Sequence, residues 1–112
     1  RKDMDMTVMR SAGMLYQEQP GGNISNIYNA EIINKSNLNK TIILKAEDPA
    51  IKIKYIQAPT GIGKGASVKT VFFVIIPAKN IHQAKTDVQL QLICDHKIIQ
   101  TVSTNFVGPI ND

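Results

Sequence analysis

Between Tyr28 and Ile32 every second residue is apolar: Tyr28, Ala30 and Ile32 alternate with Asn29 and Glu31. A period of two puts the three apolar side chains on one face of a pleated strand and the polar pair on the other. The stretch opens on a Gly21-Gly22 turn and closes on Asn34-Lys35-Ser36, all turn-forming residues. It reads as the central strand, about Ile24 to Asn34, of an all-β core.

The same rhythm recurs along the chain. Thr7-Val8-Met9 suits a short first strand, Gly13 breaks it, and residues 14–17 resume an extended segment before the turn at Gln19-Pro20-Gly21-Gly22. Ile42, Leu44 and Ala46 share one face of the next strand, which Pro49 ends. Ile51, Ile53 and Tyr55 alternate with Lys52 and Lys54; lysines facing outward suit an edge strand, where they discourage stray pairing. Ser67 to Ile76 is a long strand with Val68, Phe72, Val74 and Ile76 assigned inward, although Val71, Phe73 and Ile75 make the other parity apolar too. Val88, Leu90, Leu92 and Cys94 face inward on the next strand, Asp95-His96-Lys97 is a tight hairpin, and Ile98 to Val107 is the last strand. About seven strands with no useful helical period predict two antiparallel sheets packed face to face, an immunoglobulin-like sandwich without a disulfide. The expected core comprises Tyr28, Ala30, Ile32, Leu44, Ile53, Phe72, Val74, Leu90, Leu92 and Phe106.

At 112 residues the chain suits one domain. The 43% apolar fraction argues against general disorder, and with 5% aromatics and no Trp, Ile and Val must fill most of the core. No apolar run reaches the roughly 20 residues of a membrane helix. The chain starts Arg1-Lys2-Asp3, without an initiator Met or an apolar leader segment, and is expected to be a piece of a longer protein. The formal charge of +4 comes from dispersed lysines with no basic run, which argues against nucleic acid. It leaves a weak preference for anionic membrane surfaces as an alternative to a plain solvated face.

Few residues invite chemistry. Gly61-Ile62-Gly63-Lys64-Gly65 looks like a phosphate loop. The pattern, however, needs Gly where Ala58 stands and Ser or Thr where Gly65 stands, and a strand rather than a helix follows. His82 and His96 fall in loops with no further ligand at zinc spacing. Cys94 reads as a small core residue that cannot form an internal disulfide. Asn23-Ile24-Ser25, Asn34-Lys35-Ser36 and Asn39-Lys40-Thr41 match the glycosylation pattern by chance in an Asn-rich chain. Met4, Met6 and Met9 are the unusual cluster, because thioethers suit Cu(I). In an extended chain Met4 and Met6 project to one side and Met9 to the other, so joint ligation needs a turn or bulge after Thr7. The bland alternative puts Met4 and Met6 in a tether and lets Met9 and Met14 fill core gaps.

Three pieces, in order, carry a family resemblance. Met6-Thr7-Val8-Met9-Arg10 with Gly13 and Leu15-Tyr16 comes first; Gly22, Ile24, Asn26, Tyr28, Ile32, Asn34 and Lys35 follow; Phe106-Val107-Gly108-Pro109 closes. Together they resemble the C-terminal immunoglobulin-like domain of FixG/CcoG-type cytochrome c oxidase accessory proteins, over nearly the whole chain. Ser11-Ala12 stands where many relatives carry a charged residue, which leaves the register of the first strand open.

The resemblance implies a domain of a bacterial membrane protein, on the periplasmic face of the inner membrane. Residues 1–10 would be a juxtamembrane tether or first strand, and residues 11–112 the single sandwich. The parent family carries iron–sulfur clusters and is implicated in cbb-type oxidase assembly and copper handling. None of its cluster-binding cysteine motifs occurs here, so no cofactor is expected in this domain, and any redox chemistry would lie elsewhere in the parent. The expected role is a non-catalytic docking or spacing module. Its partners would be the parent membrane domain and oxidase or copper-delivery proteins, with the membrane surface as a further contact. The alternative is a stand-alone extracytoplasmic adhesion or ligand-binding sandwich; an enzyme ranks third, because no acid–base pair or nucleophile constellation is visible.

Overall fold

Alternation is realised strand by strand in the computed structural model, which describes residues 3–11, 13, 15–59 and 61–110. Eight strands follow one another: β1 (Met4–Arg10), β2 (Gln17–Gln19), β3 (Asn23–Asn34), β4 (Ile42–Ala46), β5 (Lys52–Gln57), β6 (Ser67–Pro77), β7 (Lys85–Cys94) and β8 (Lys97–Val107). A single 3-10 turn, Ala78–Asn80, lies between β6 and β7, where Pro77 ends the longer strand.

Every pairing is antiparallel. One sheet runs β1-β3-β6-β5, with β2 added beside the start of β3; the other runs β4-β7-β8. This is the strand order of a constant-type immunoglobulin sandwich, four strands facing three. β3 lies between β1 and β6, so the stretch that dominates the sequence is a central strand.

The core forms where the inward residues of both sheets meet. Tyr28, Ala30, Ile32, Leu44, Phe72, Val74, Leu90, Leu92 and Phe106 are buried, and Ile53 is half-buried against them. The open parity of β6 resolves with Phe72, Val74 and Ile76 inward, joined by Thr70; Val71, Phe73 and Ile75 are only half-covered on the outer face. Tyr28, Phe72 and Tyr55 stand side by side across β3, β6 and β5, because Phe72 is in register with both tyrosines. The Tyr28 and Phe72 rings stack at 5.8 Å and 16°. Such a pair stabilises by about 0.5–1.5 kcal/mol beyond its burial.

Of the two alternatives for the first ten residues, Met4–Arg10 forms the strand: it pairs with β3 in unbroken register from Met4 opposite Asn34 to Arg10 opposite Tyr28. Met4 and Met6 are 2% and 3% exposed, inside the core, while Met9 is 68% exposed. The filling and exposed methionines are thus exchanged relative to the sequence reading; Met14 lies outside the described residues. The cause is parity, since the even residues of β1 face the second sheet. Beyond β1 the Ser11 N–H still donates to the Ile27 carbonyl of β3 at 2.9 Å, β2 pairs with β3 from Gln17 opposite Ser25, and Leu15 and Tyr16 are exposed.

Candidate functional site

The two long sides of the sandwich are built differently. On the β1/β8 side no ladder joins the sheets, yet polar side chains imitate one. The Met6 N–H donates to Gln100 Oε1 at 2.8 Å, and Gln100 Nε2 donates back to the Met6 carbonyl at 3.2 Å. Asn26 Nδ2 donates to the Val107 carbonyl at 2.8 Å, and the Val107 N–H donates to Asn26 Oδ1 at 2.9 Å. Each amide thereby satisfies one donor and one acceptor of an edge strand, as a neighbouring strand would. Between them the Tyr28 hydroxyl donates to the Asn105 carbonyl at 2.6 Å. Burial pushes the Tyr28 phenol well above its ordinary range, with the Arg10 charge a smaller opposing influence.

A further buried amide locks one end of the body. Asn34 Nδ2 donates to the Leu38 carbonyl at 2.8 Å and to the Ile62 carbonyl at 3.0 Å, while Asn34 Oδ1 accepts from the Ser36 amide and hydroxyl. It thereby ties the β3–β4 connection to the β5–β6 loop, and Ile62 is buried beneath it. The Gly61–Gly65 segment consequently packs as an inter-strand connection. At the far end Gly108 comes close to the core: a Cβ there would sit 3.3 Å from Ile81 Cδ1.

The β4/β5 side is closed only at one end, where Lys40 and Ile62 exchange two backbone hydrogen bonds at 2.9 and 2.7 Å. Between strands β4 and β5 themselves the Leu44 N–H donates to the Tyr55 hydroxyl at 3.0 Å. Around that bond lies a groove of about 620 Å³ floored by Leu44, Ala46, Ile51, Ile53 and Tyr55 and rimmed by Lys45 and Lys52. Lys52 and Lys54 are exposed on β5, which is an edge strand.

The residues singled out for chemistry do not converge. Met4 and Met6 lie in the core and Met9 on the opposite face, with no bulge in β1 to turn Met9 round, so the structure does not assemble the suspected Cu(I) set. Cys94 is buried at the end of β7; burial, followed by the neighbouring Asp95 carboxylate, raises its thiol pKa. An iron–sulfur cluster needs several thiolates, and one buried cysteine does not fit that group. His96 occupies the two-residue turn between β7 and β8, and His82 follows the 3-10 turn. Among the described residues no three of His, Cys, Asp and Glu gather in a way that could hold a metal ion. None of the described helices is long and apolar enough to cross a membrane.

Sequence reading missed the roles of Asn26, Asn34 and Gln100. Asn26 and Asn34 sit on the apolar-facing parity of β3, in phase with Tyr28 and Ile32. An amide in phase with core residues is the signal that could have exposed them, because a buried polar group must find partners.

Three comparisons bear on this geometry. A family model described as "IG-like fold at C-terminal of FixG, putative oxidoreductase" matches residues 1–109. The crystal structure of a FixG-related protein from Vibrio parahaemolyticus aligns with a TM-score of 0.73 at 16% identity, over 96% of this chain and 97% of that chain, a likeness of fold alone. A search of curated proteins finds no match. With residues 1–109 of 112 matched, the chain belongs to the family of immunoglobulin-like domains found at the C-terminus of FixG.

Proposed function

We propose that this domain is a non-catalytic docking or spacing module of a membrane-bound iron–sulfur protein of the FixG type. In this reading it stands on the periplasmic face of the inner membrane and serves cbb-type oxidase assembly and copper handling. One observation carries the proposal: five residues of the central family pattern, on β3, are committed to the fold. Asn26, Tyr28 and Asn34 hold strands and loops together, Ile24 and Ile32 fill the core, and none of these side chains is exposed. A pattern of that kind specifies a scaffold, and a scaffold attached to a redox protein acts by position.

The test is made in the intact parent. Residues 3–110 are deleted from the full-length protein, and oxidase assembly and Cu(II) reduction are measured separately. The docking reading expects assembly to fall while reduction persists. Loss of reduction with correct membrane insertion would place the domain in the chemistry and overturn the reading, as would unchanged assembly.

A further inference from the structure

The contrast between the two sides of the sandwich points to a binding surface. Edge strands present unpaired backbone groups, and proteins usually cover or blunt them. The β1/β8 side does so with Asn26, Tyr28 and Gln100. The β4/β5 side leaves a groove instead.

The direction of the β4 backbone follows from two bonds. The Glu47 N–H donates to the Gln89 carbonyl on β7, and the Leu44 N–H points the other way, to Tyr55. Backbone groups alternate along a strand, so Leu44 and Ala46, which line the groove, turn their N–H and C=O toward it. These are the groups an added strand uses. The outer face of β4 carries exposed Ile43 and Lys45. Lys52 stands on the opposite rim and exposed Lys54 further along β5, while Glu47 marks one end.

We propose that the β4–β5 groove docks an extended peptide segment that alternates acidic and apolar residues, adding it to β4 as a fourth strand of the β4-β7-β8 sheet. Apolar side chains of one parity lie on Ile51, Ile53 and Ala46. Acidic side chains of the other parity face Lys45 and Lys52, since opposite charges across a strand pair are favourable. An incoming carbonyl replaces the Tyr55 hydroxyl as acceptor for the Leu44 N–H. The proposal rests on the docking reading above and names the surface and the kind of partner.

The experiment uses the fluorescein-labelled peptide Thr-Ile-Glu-Val-Glu-Ile-Thr-Val and a twin with Lys for each Glu, titrated by anisotropy at low salt. The acidic peptide is expected to bind at least tenfold more tightly than its twin, and Lys45→Glu to reverse that order. Ala46→Pro removes an outward N–H at an edge position, where proline is tolerated, and is expected to abolish binding with the fold retained by circular dichroism. Should Ala46→Pro not fold, hydrogen exchange in the unaltered chain decides: the acidic peptide must slow exchange of the Ala46 amide. Equal binding of the two peptides, no saturation by about 1 mM, a Kd worth only some 4 kcal/mol, or unchanged exchange at Ala46 would overturn the proposal. If peptide binding fails while oxidase assembly in the parent still requires the domain, the groove is removed and the docking reading stands.

Discussion

Asn26 and Val107 exchange two hydrogen bonds across the sandwich, so one side chain does for β8 what a neighbouring strand's backbone would do. Removing it leaves a backbone donor and a backbone acceptor without partners. Each such loss costs about 1–3 kcal/mol when buried. Val107 is half-buried, so water compensates in part. Asn26→Leu is therefore expected to lower stability by about 2–4 kcal/mol in urea unfolding. A change under about 0.5 kcal/mol, the range of neutral surface substitutions, would show that the seam contributes nothing.

Tyr28 combines a buried ring with a cross-sheet hydroxyl. Tyr28→Ala is expected to cost about 3–5 kcal/mol, a large share of a total stability near 5–15 kcal/mol. Tyr28→Phe keeps the stack on Phe72 and loses one hydrogen bond, for about 1–2 kcal/mol. A Phe variant as unstable as the Ala variant would place the whole effect in the hydroxyl and none in the ring.

The same hydroxyl gives an alkaline signature. Its folded pKa is raised, so above the unfolded value near 10 the unfolded state releases a proton that the folded state keeps. Stability contributed by Tyr28 is complete below pH 10 and declines as pH rises from there, by up to about 1.4 kcal/mol per pH unit. Between pH 9 and pH 11 the gap between the parent and Tyr28→Phe is expected to narrow. A gap constant over that range would mean that the phenol is not desolvated.

The methionines of β1 separate by parity. Met4→Ala and Met6→Ala are each expected to cost about 2–5 kcal/mol, as buried truncations do. Met9→Ala is expected to stay within about 0.5 kcal/mol. Competition titration with a chromophoric chelator is expected to give the same Cu(I) affinity for the parent and for a variant with Leu at all three positions. A weaker variant would restore the thioether site that the unbroken β1 register argues against.

Asp95 and His96 form the two-residue turn between β7 and β8 with φ of 53° and 65°. Both angles are left-handed, as this hairpin turn requires. A β-branched side chain tolerates that region worst. His96→Val is expected to lower the melting temperature, and His96→Gly to match or raise it. The reverse order would remove the turn as the source of strain.

Much of the fold was legible because one property repeated. Alternation in β3, β4 and β7 assigned Tyr28, Leu44 and Leu90 correctly to the interior, since a period of two leaves each side chain one choice of face. β6 was apolar on both parities, and its facing was settled by which side meets the other sheet. Met4 and Met6 were misplaced although Met4, Met6 and Val8 alternate with Asp5 and Thr7 by the same period of two: the expected first strand was kept to Thr7-Val8-Met9, too short to carry the alternation, whereas β1 begins at Met4. Asn26 and Gln100 were illegible for a deeper reason. A buried amide is recognised by what it bonds, and the partners, Val107 and Met6, lie 81 and 94 residues away along the chain.

The polar seam also sets how the domain would carry a load. Met6, Arg10's partner Tyr28 and Asn26 descend β1 and β3 in the order in which Gln100, Asn105 and Val107 follow along β8. The first and last strands therefore run the same way, and the two ends of the described chain leave from opposite poles of a body 50 Å long. Tension applied between those poles pulls β1 and β8 past one another lengthwise. The Gln100, Tyr28 and Asn26 bonds then resist together instead of parting one by one. Forced opening is governed by the unfolding rate, and a clasp that must break as a unit keeps that rate low while the domain is stretched.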